Sequence, residues 1–151
     1  MLPSTVERVP QNTSQEINDQ IRRRTEECIE RTASEGRHAI DERLAELDHE
    51  WDIERTLEAN AATAVLVGLT LGATVDRRLF ILPALVAGFL LQHAVQGWCP
   101  PVPFFRRRGI RTQSEIDYER YALKALRGDF REIPGELDGR APERALAAAR
   151  G

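Results

Sequence analysis

The 151-residue sequence predicts an all-α fold, a two-span transmembrane helical hairpin flanked by amphipathic cytoplasmic helices. Three observations carry that expectation. Between Ala59 and Val95 the only formal charges are Asp76, Arg77 and Arg78, although 30% of the whole chain is charged. The two apolar runs, "ANAATAVLVGLTLGATV" (59–75) and "LFILPALVAGFLLQHAV" ending at Val95, are each about 17 residues, roughly 25 Å as helix, the short end of a membrane span. The stretch "GWCPPVPFFRRRGIRT" (97–112) then closes the apolar region with tryptophan, prolines and arginines, the order expected at a lipid–water boundary.

Residues 1–13 carry Pro3, Pro10, Asn12 and several hydroxyl residues and read as a flexible lead. The first fifteen residues have no apolar core segment, so no cleavable signal peptide is expected and insertion falls to an internal segment. Residues 14–58 form a charged cytoplasmic helical region without proline and with one glycine, Gly36, which suggests helices at about 14–35 and 37–57. In the second, Ile40, Leu44, Leu47 and Trp51 recur at spacings of four, three and four, a stripe as narrow as a coiled-coil seam. It has three places to pack: the 14–35 helix, the C-terminal helix, or a second copy. No helix breaker separates this helix from the first apolar run, which leaves open whether the two are continuous as a stalk.

Residues 59–98 are the hairpin. Pro83 lies in the first turns of the second helix, where it costs little. Residues 99–130 follow as a basic exit segment and an amphipathic helix. Thr112 or Ser114 caps that helix, Glu115 and Asp117 suit its N-terminus, and Gly128 ends it. Residues 131–151 read as a mobile tail with a short helix after Pro142.

Orientation follows from arginines near the span ends. Arg43, Arg55, Arg106, Arg107, Arg108 and Arg111 flank the hairpin on one side, against Arg77 and Arg78, partly offset by Asp76, at the turn. Both termini are therefore expected in the cytoplasm. Trp98, Arg106, Arg107, Arg108 and Arg111 are the expected membrane-interface anchor, with anionic headgroups worth roughly 1 kcal/mol per arginine. The carboxylates Asp41, Glu42, Glu46, Asp48, Glu50, Asp52, Glu54 and Glu58 would be repelled by the same headgroups, so their helix should stand off the membrane, its base near Arg106–Arg111.

Close packing and hydrogen bonds, not apolar burial, pair helices in lipid. Ala64, Gly68 and Gly72 step by four along the first span, and Ala84, Gly88, Gln92 and Gln96 along the second. Folding the chain at Arg77 brings Gly72 near Ala84, Gly68 near Gly88 and Ala64 near Gln92, and Asn60 to Gln96 or Gln92. The alternative is a homodimer along one stripe.

Residues 54–112, above all the Gly-rich paired spans that end in Gly97-Trp98-Cys99-Pro100, resemble the YgaP-like inner-membrane transmembrane domain family of bacteria. The resemblance implies inner-membrane placement and a tendency to dimerise. A sulfurtransferase activity does not follow, because neither Cys28 in "ECIERTA" nor Cys99 in "CPPVPFFR" sits in the glycine-bearing loop such chemistry needs.

Chemistry is sparse. Two cysteines, Cys28 and Cys99, make neither a disulfide framework nor a four-ligand metal site. Cys99 is the candidate reactive thiol, with nearby arginines favouring thiolate. The plainer reading of Cys99 is a small residue at a helix exit. His93, beside Gln92 and Gln96, lacks the further ligands a metal would need. No catalytic, metal or cofactor residue emerges, and no cofactor is expected. A net charge of −3 without a long basic run argues against nucleic acid as a partner. The expected partners are membrane lipids, a second copy in a homo-oligomer, and an unidentified cytoplasmic or membrane protein. The sequence thus points to a non-enzymatic inner-membrane protein that anchors cytoplasmic helices for self-association or recruitment. Two alternatives stand beside it: a thiol or sulfur relay at Cys99 serving a separate sulfurtransferase, and an oligomeric channel or transporter subunit.

Overall fold

The computed structural model describes residues 4–131, 141 and 143–145, and among these the fold is all-helical, with no strand. The helices are α1 (Arg8–Gln11), α2 (Gln15–Glu35), α3 (Arg37–His49), α4 (Ile53–Thr74), α5 (Ile81–Gln96), α6 (Val102–Arg107) and α7 (Gln113–Arg127). A 3₁₀ turn, Arg77–Phe80, leads into α5. The chain divides into two compact units, one built from residues 1–22 and 51–115, the other from 23–50 and 116–151.

In the second unit the narrow stripe of α3 finds its partners within the chain. Ile40, Leu44 and Leu47 bury against Ile116 and Leu123 of α7, with Ile29 of α2 beside them. Trp51, the fourth member of the expected stripe, lies outside α3 and is 49% exposed. The acidic surface of α3 is answered by arginines of the same unit. Arg43 holds the fully buried Glu119 by two hydrogen bonds of 2.7 and 3.2 Å. Arg120 pairs with Asp48, and Arg127 with Asp41 at 2.8 Å. Gly36, at φ +97°, makes the left-handed break between α2 and α3 that a residue with Cβ adopts only at a cost.

Two expectations for this region are corrected. The helix expected at 37–57 stops at His49, Glu50 is extended, and α4 starts afresh at Ile53. Asp52 makes the new start: it is extended and its carboxylate accepts from the Arg55 N–H at 2.8 Å. There is no continuous stalk, because an N-cap does what proline or glycine would otherwise do. The base of the acidic stretch meets the exit segment through the backbone, Ile53 N–H to the Arg111 carbonyl at 2.8 Å, while Glu54 is held by Arg8 and His93. The lead is not loose throughout: α1 is helical, and Val9 is 2% exposed in the core of the first unit. Most of the tail lies outside the described residues; Ala141 and residues 143–145 are helical.

The first unit holds the apolar helices. Two helical stretches, Arg37–Thr74 and Arg77–Gln96, contain windows long and apolar enough to cross a membrane, and only 17% and 11% of those windows are buried within the chain. The apolar part of the first is α4. Along it the hydroxyls of Thr63, Thr70 and Thr74 each turn back to the carbonyl four residues earlier, at 2.7–2.8 Å, so no hydroxyl of the three depends on water.

α4 and α5 run antiparallel, but not in the expected register. A Cβ on Gly68 would come within 2.7 Å of Pro83 Cδ, and one on Gly72 within 2.8 Å of the Phe80 ring, whereas nothing lies within 4 Å at Gly88. Glycine is needed where the helices touch, and Gly88 faces away from α4. The pairing of Gly68 with Gly88 and of Gly72 with Ala84 is therefore corrected to Gly68 with Pro83 and Leu82 and Gly72 with Phe80. The cause is the turn. α4 ends at Thr74, Asp76 accepts from the Arg78 N–H at 2.8 Å, and the chain reverses around Val75–Asp76 rather than at Arg77. Asn60 gives its amide to the Thr56 carbonyl at 2.7 Å, not to Gln92 or Gln96.

Candidate functional site

The polar chemistry of the first unit gathers where the chain enters α4 and leaves α5. Glu54, in the first turn of α4, accepts from Arg8 on one carboxylate oxygen and meets His93 Nε2 on the other, each at 2.8 Å. His93 is 3% exposed. Its partner being a carboxylate, Nε2 carries the proton. Arg8 also donates to the Ala94 carbonyl at 2.8 Å, and Asn12 donates to the Gln96 carbonyl at 2.8 Å. Two carbonyls in the last turn of α5, which have no partner within the helix, are thus satisfied by side chains of α1 and the residue after it. Gly97 makes the crossing feasible. It is left-handed (φ +76°), and a Cβ there would lie 2.4 Å from the Arg8 carbonyl oxygen.

Beneath this cluster Val9, Ile53, Leu57, Cys99 and Val102 form the apolar core of the unit, with Phe105 and Ile110 against it. Cys99 is 2% exposed, and burial pushes its thiol up, outweighing the Val102 N–H that favours thiolate. The expectation of an arginine-activated thiol is corrected on that ground: a buried, protonated sulfur is a packing group.

The arginine cluster also divides. Arg107 and Arg108 are exposed, with the Arg108 guanidinium 4.2 Å over the Phe104 ring. Arg106 is fully buried, and Arg111 is 7% exposed. Both are withdrawn from the expected headgroup anchor. Arg106 holds both oxygens of Glu115, at 2.6 and 2.7 Å, together with the Ile110 carbonyl and Asn18 Oδ1 at 3.0 Å. Glu115 in turn accepts from the Thr112 N–H at 2.7 Å while Thr112 Oγ1 accepts from the Glu115 N–H, a capping box that opens α7. Desolvation works to raise the Glu115 carboxyl, but Arg106 and Thr112 outweigh it and hold it below the ordinary carboxylate range. The backbone of Ile53 donates to the Arg111 carbonyl at 2.8 Å, which ties the start of α4 to the exit segment. Trp98 is half-buried beside Cys99.

Between α4 and α5, at this same end, lies a cavity of about 310 Å³. Leu57, Ala61 and Ala64 line it from α4, Val86 and Phe89 from α5, and Cys99 and the two prolines after it from the exit segment. Asn60 is its one amide side chain. Of the residues expected to pack the helices, Gly68 and Gly72 do so, Ala64 and Asn60 border the cavity, and Ala84, Gly88 and Gln96 are exposed. Gln92 is half-buried. No group of three or more His, Cys, Asp or Glu residues able to hold a metal ion occurs among the described residues.

Sequence reasoning missed Arg8, Glu54 and the buried role of Arg106. No local signal marks them, because their partners lie far along the chain or, for Arg106, because arginine is ordinarily exposed. The fold and site define a class, an all-helical chain with two stretches able to span a membrane and a polar knot at their common end. No protein-family model, curated protein or solved structure matches the chain.

Proposed function

We propose that this chain is a bacterial inner-membrane protein whose α4 and α5 cross the bilayer as a helical hairpin. Both termini lie in the cytoplasm, and the remaining helices serve self-association or recruitment of a partner rather than catalysis. One observation carries the reading: α4 and α5 turn large apolar side chains outward, among them Leu66, Leu69, Ile81, Leu85, Phe89 and Leu91, all at least 40% exposed. A soluble domain of this size does not leave so continuous an apolar surface in water. The hydroxyls that bond back into α4 suit hydrocarbon equally well.

Orientation is supported from two directions. Arg8 and Asn12 bond the end of α5, so the N-terminal segment and the exit segment belong on one side. Positive charge biases topology while the chain inserts, before Arg106 and Arg111 are buried, so the arginine excess at 106–111 still favours a cytoplasmic exit. Kinship with the YgaP-like family belongs to the same reading and rests on the Gly-Trp-Cys-Pro exit. A relay at Cys99 draws no support from its burial. The test is extraction of the expressed chain. It should stay with membranes through alkaline carbonate and come out only with detergent, and a cysteine placed at Asp76 should react with an impermeant thiol reagent from outside the cell. Release by carbonate as a monodisperse species in plain buffer would overturn the reading.

A further inference from the structure

We propose that the cavity between α4 and α5 is a lipid site: it takes one hydrocarbon chain of an anionic phospholipid, whose phosphate is held by Arg107 and Arg108. The inference rests on the membrane reading above. The cavity reaches the lower end of the size range of small-ligand pockets. It exists because Ala61 and Ala64 stand where larger side chains would fill the gap between the helices. The one amide on its wall, Asn60, already spends a donor on the Thr56 carbonyl. Its walls are otherwise carbon and a buried thiol, so the occupant in contact with them is apolar.

The segment that follows the lining residues supplies charge. The prolines that line the cavity run directly into α6, and the described exposed side chains of that short helix and its end are Phe104, Arg107 and Arg108. An aromatic ring and two guanidinium groups, five, eight and nine residues after the lining residue Cys99, match a headgroup that carries negative charge. The carboxylate that acts on Cys99, Glu54, is bound by Arg8 and His93 and does not oppose an anion there. Arg106 is occupied by Glu115, which leaves its two neighbours as the basic pair.

The test uses the full chain, solubilised in mild detergent and offered phosphatidylglycerol or phosphatidylcholine of equal chain length, with bound lipid read by native mass spectrometry. Phosphatidylglycerol should be retained in preference to phosphatidylcholine. Ala64→Leu, which fills the cavity, should abolish retention, and Gly88→Leu, which adds the same bulk to the open face of α5, should leave it unchanged. The double variant Arg107→Gln/Arg108→Gln alters only exposed side chains and should weaken phosphatidylglycerol binding about thirtyfold, the effect of two surface arginines. Equal retention of the two lipids, or full retention by the Ala64→Leu protein, overturns the proposal. So does a lipid-free dimer that Ala64→Leu converts to monomer, since a second copy would then fill the cavity. Failure of the membrane reading is seen separately, as a protein that needs no detergent.

Discussion

Arg106 is the largest fully buried side chain described in the first unit, and its replacement by methionine tests what its ion pair contributes. Methionine keeps much of the volume but leaves the Glu115 carboxylate, Asn18 Oδ1 and the Ile110 carbonyl without their donor. Breaking a buried ion pair from one side costs about 3–5 kcal/mol, because a charge is left behind uncompensated. Glu115 keeps 23% side-chain exposure and the Thr112 N–H, which places the cost at the low end, about 3 kcal/mol. For a chain of this length that is a fall in Tm of roughly 6–12 °C. Scanning fluorimetry of the detergent-solubilised protein, through Trp51 and Trp98, reads it. The pH dependence supplies a second, independent readout. Glu115 is held below its ordinary 4.5 in the folded protein, so the stability it contributes is fully present above 4.5 and is lost as pH falls through the lower, folded value. In the variant, burial without Arg106 raises the carboxyl instead, so the gap between the two proteins should narrow as pH falls from 7 to about 4. Arg106→Met/Glu115→Gln should recover part of the loss at pH 7, since glutamine removes the stranded charge and still accepts from the Thr112 N–H. A Tm change under 2 °C for the single variant, or a double variant no better than it, would refute the argument that a stranded carboxylate is the cause.

Three further outcomes follow from the geometry. Gly68→Ala drives a methyl into the Pro83 ring and should destabilise by about 1–3 kcal/mol, while Gly88→Ala should be neutral; equal effects in thermal unfolding would restore the symmetric register. Asp52→Ala removes the N-cap of α4 and should cost about 1 kcal/mol, a fall in Tm of about 2–4 °C, whereas a continuous α3–α4 helix would be indifferent to it. With Cys28 replaced by serine, Cys99 should react only at the rate of unfolding with a bulky, charged maleimide that the apolar cavity does not admit, and rapid labelling at pH 7 in the folded protein would contradict its burial.

Much of the helix layout could be read from the chain, because caps and breakers are local. Gly36 separates α2 from α3, Thr112 opens α7 and Gly128 ends it, each where its chemistry required. The stripe Ile40, Leu44 and Leu47 was likewise visible as spacing, though not its partners, since three faces were equally able to cover it. The break before α4 was missed because a polar cap, Asp52, makes a far weaker mark than proline. The register of α4 on α5 was missed because a shift of a few residues in the turn carries every pair with it. Once the reversal centres on Val75–Asp76, Gly88 points outward. Glu54 was visible only as one of eight acids; its neighbours Arg8 and His93 lie 46 and 39 residues away, and no periodicity connects them.

The docking of Arg8 on the Ala94 carbonyl joins groups 86 residues apart, and this sets an order of events during synthesis. Arg8 leaves the ribosome 86 residues ahead of its acceptor, roughly 4–17 s earlier at ordinary elongation rates. Throughout that interval Arg8 and Asn12 must stay undocked and on the side where they began. A fusion partner that folds at once on the N-terminus would compete with that wait, whereas one appended at the C-terminus would not.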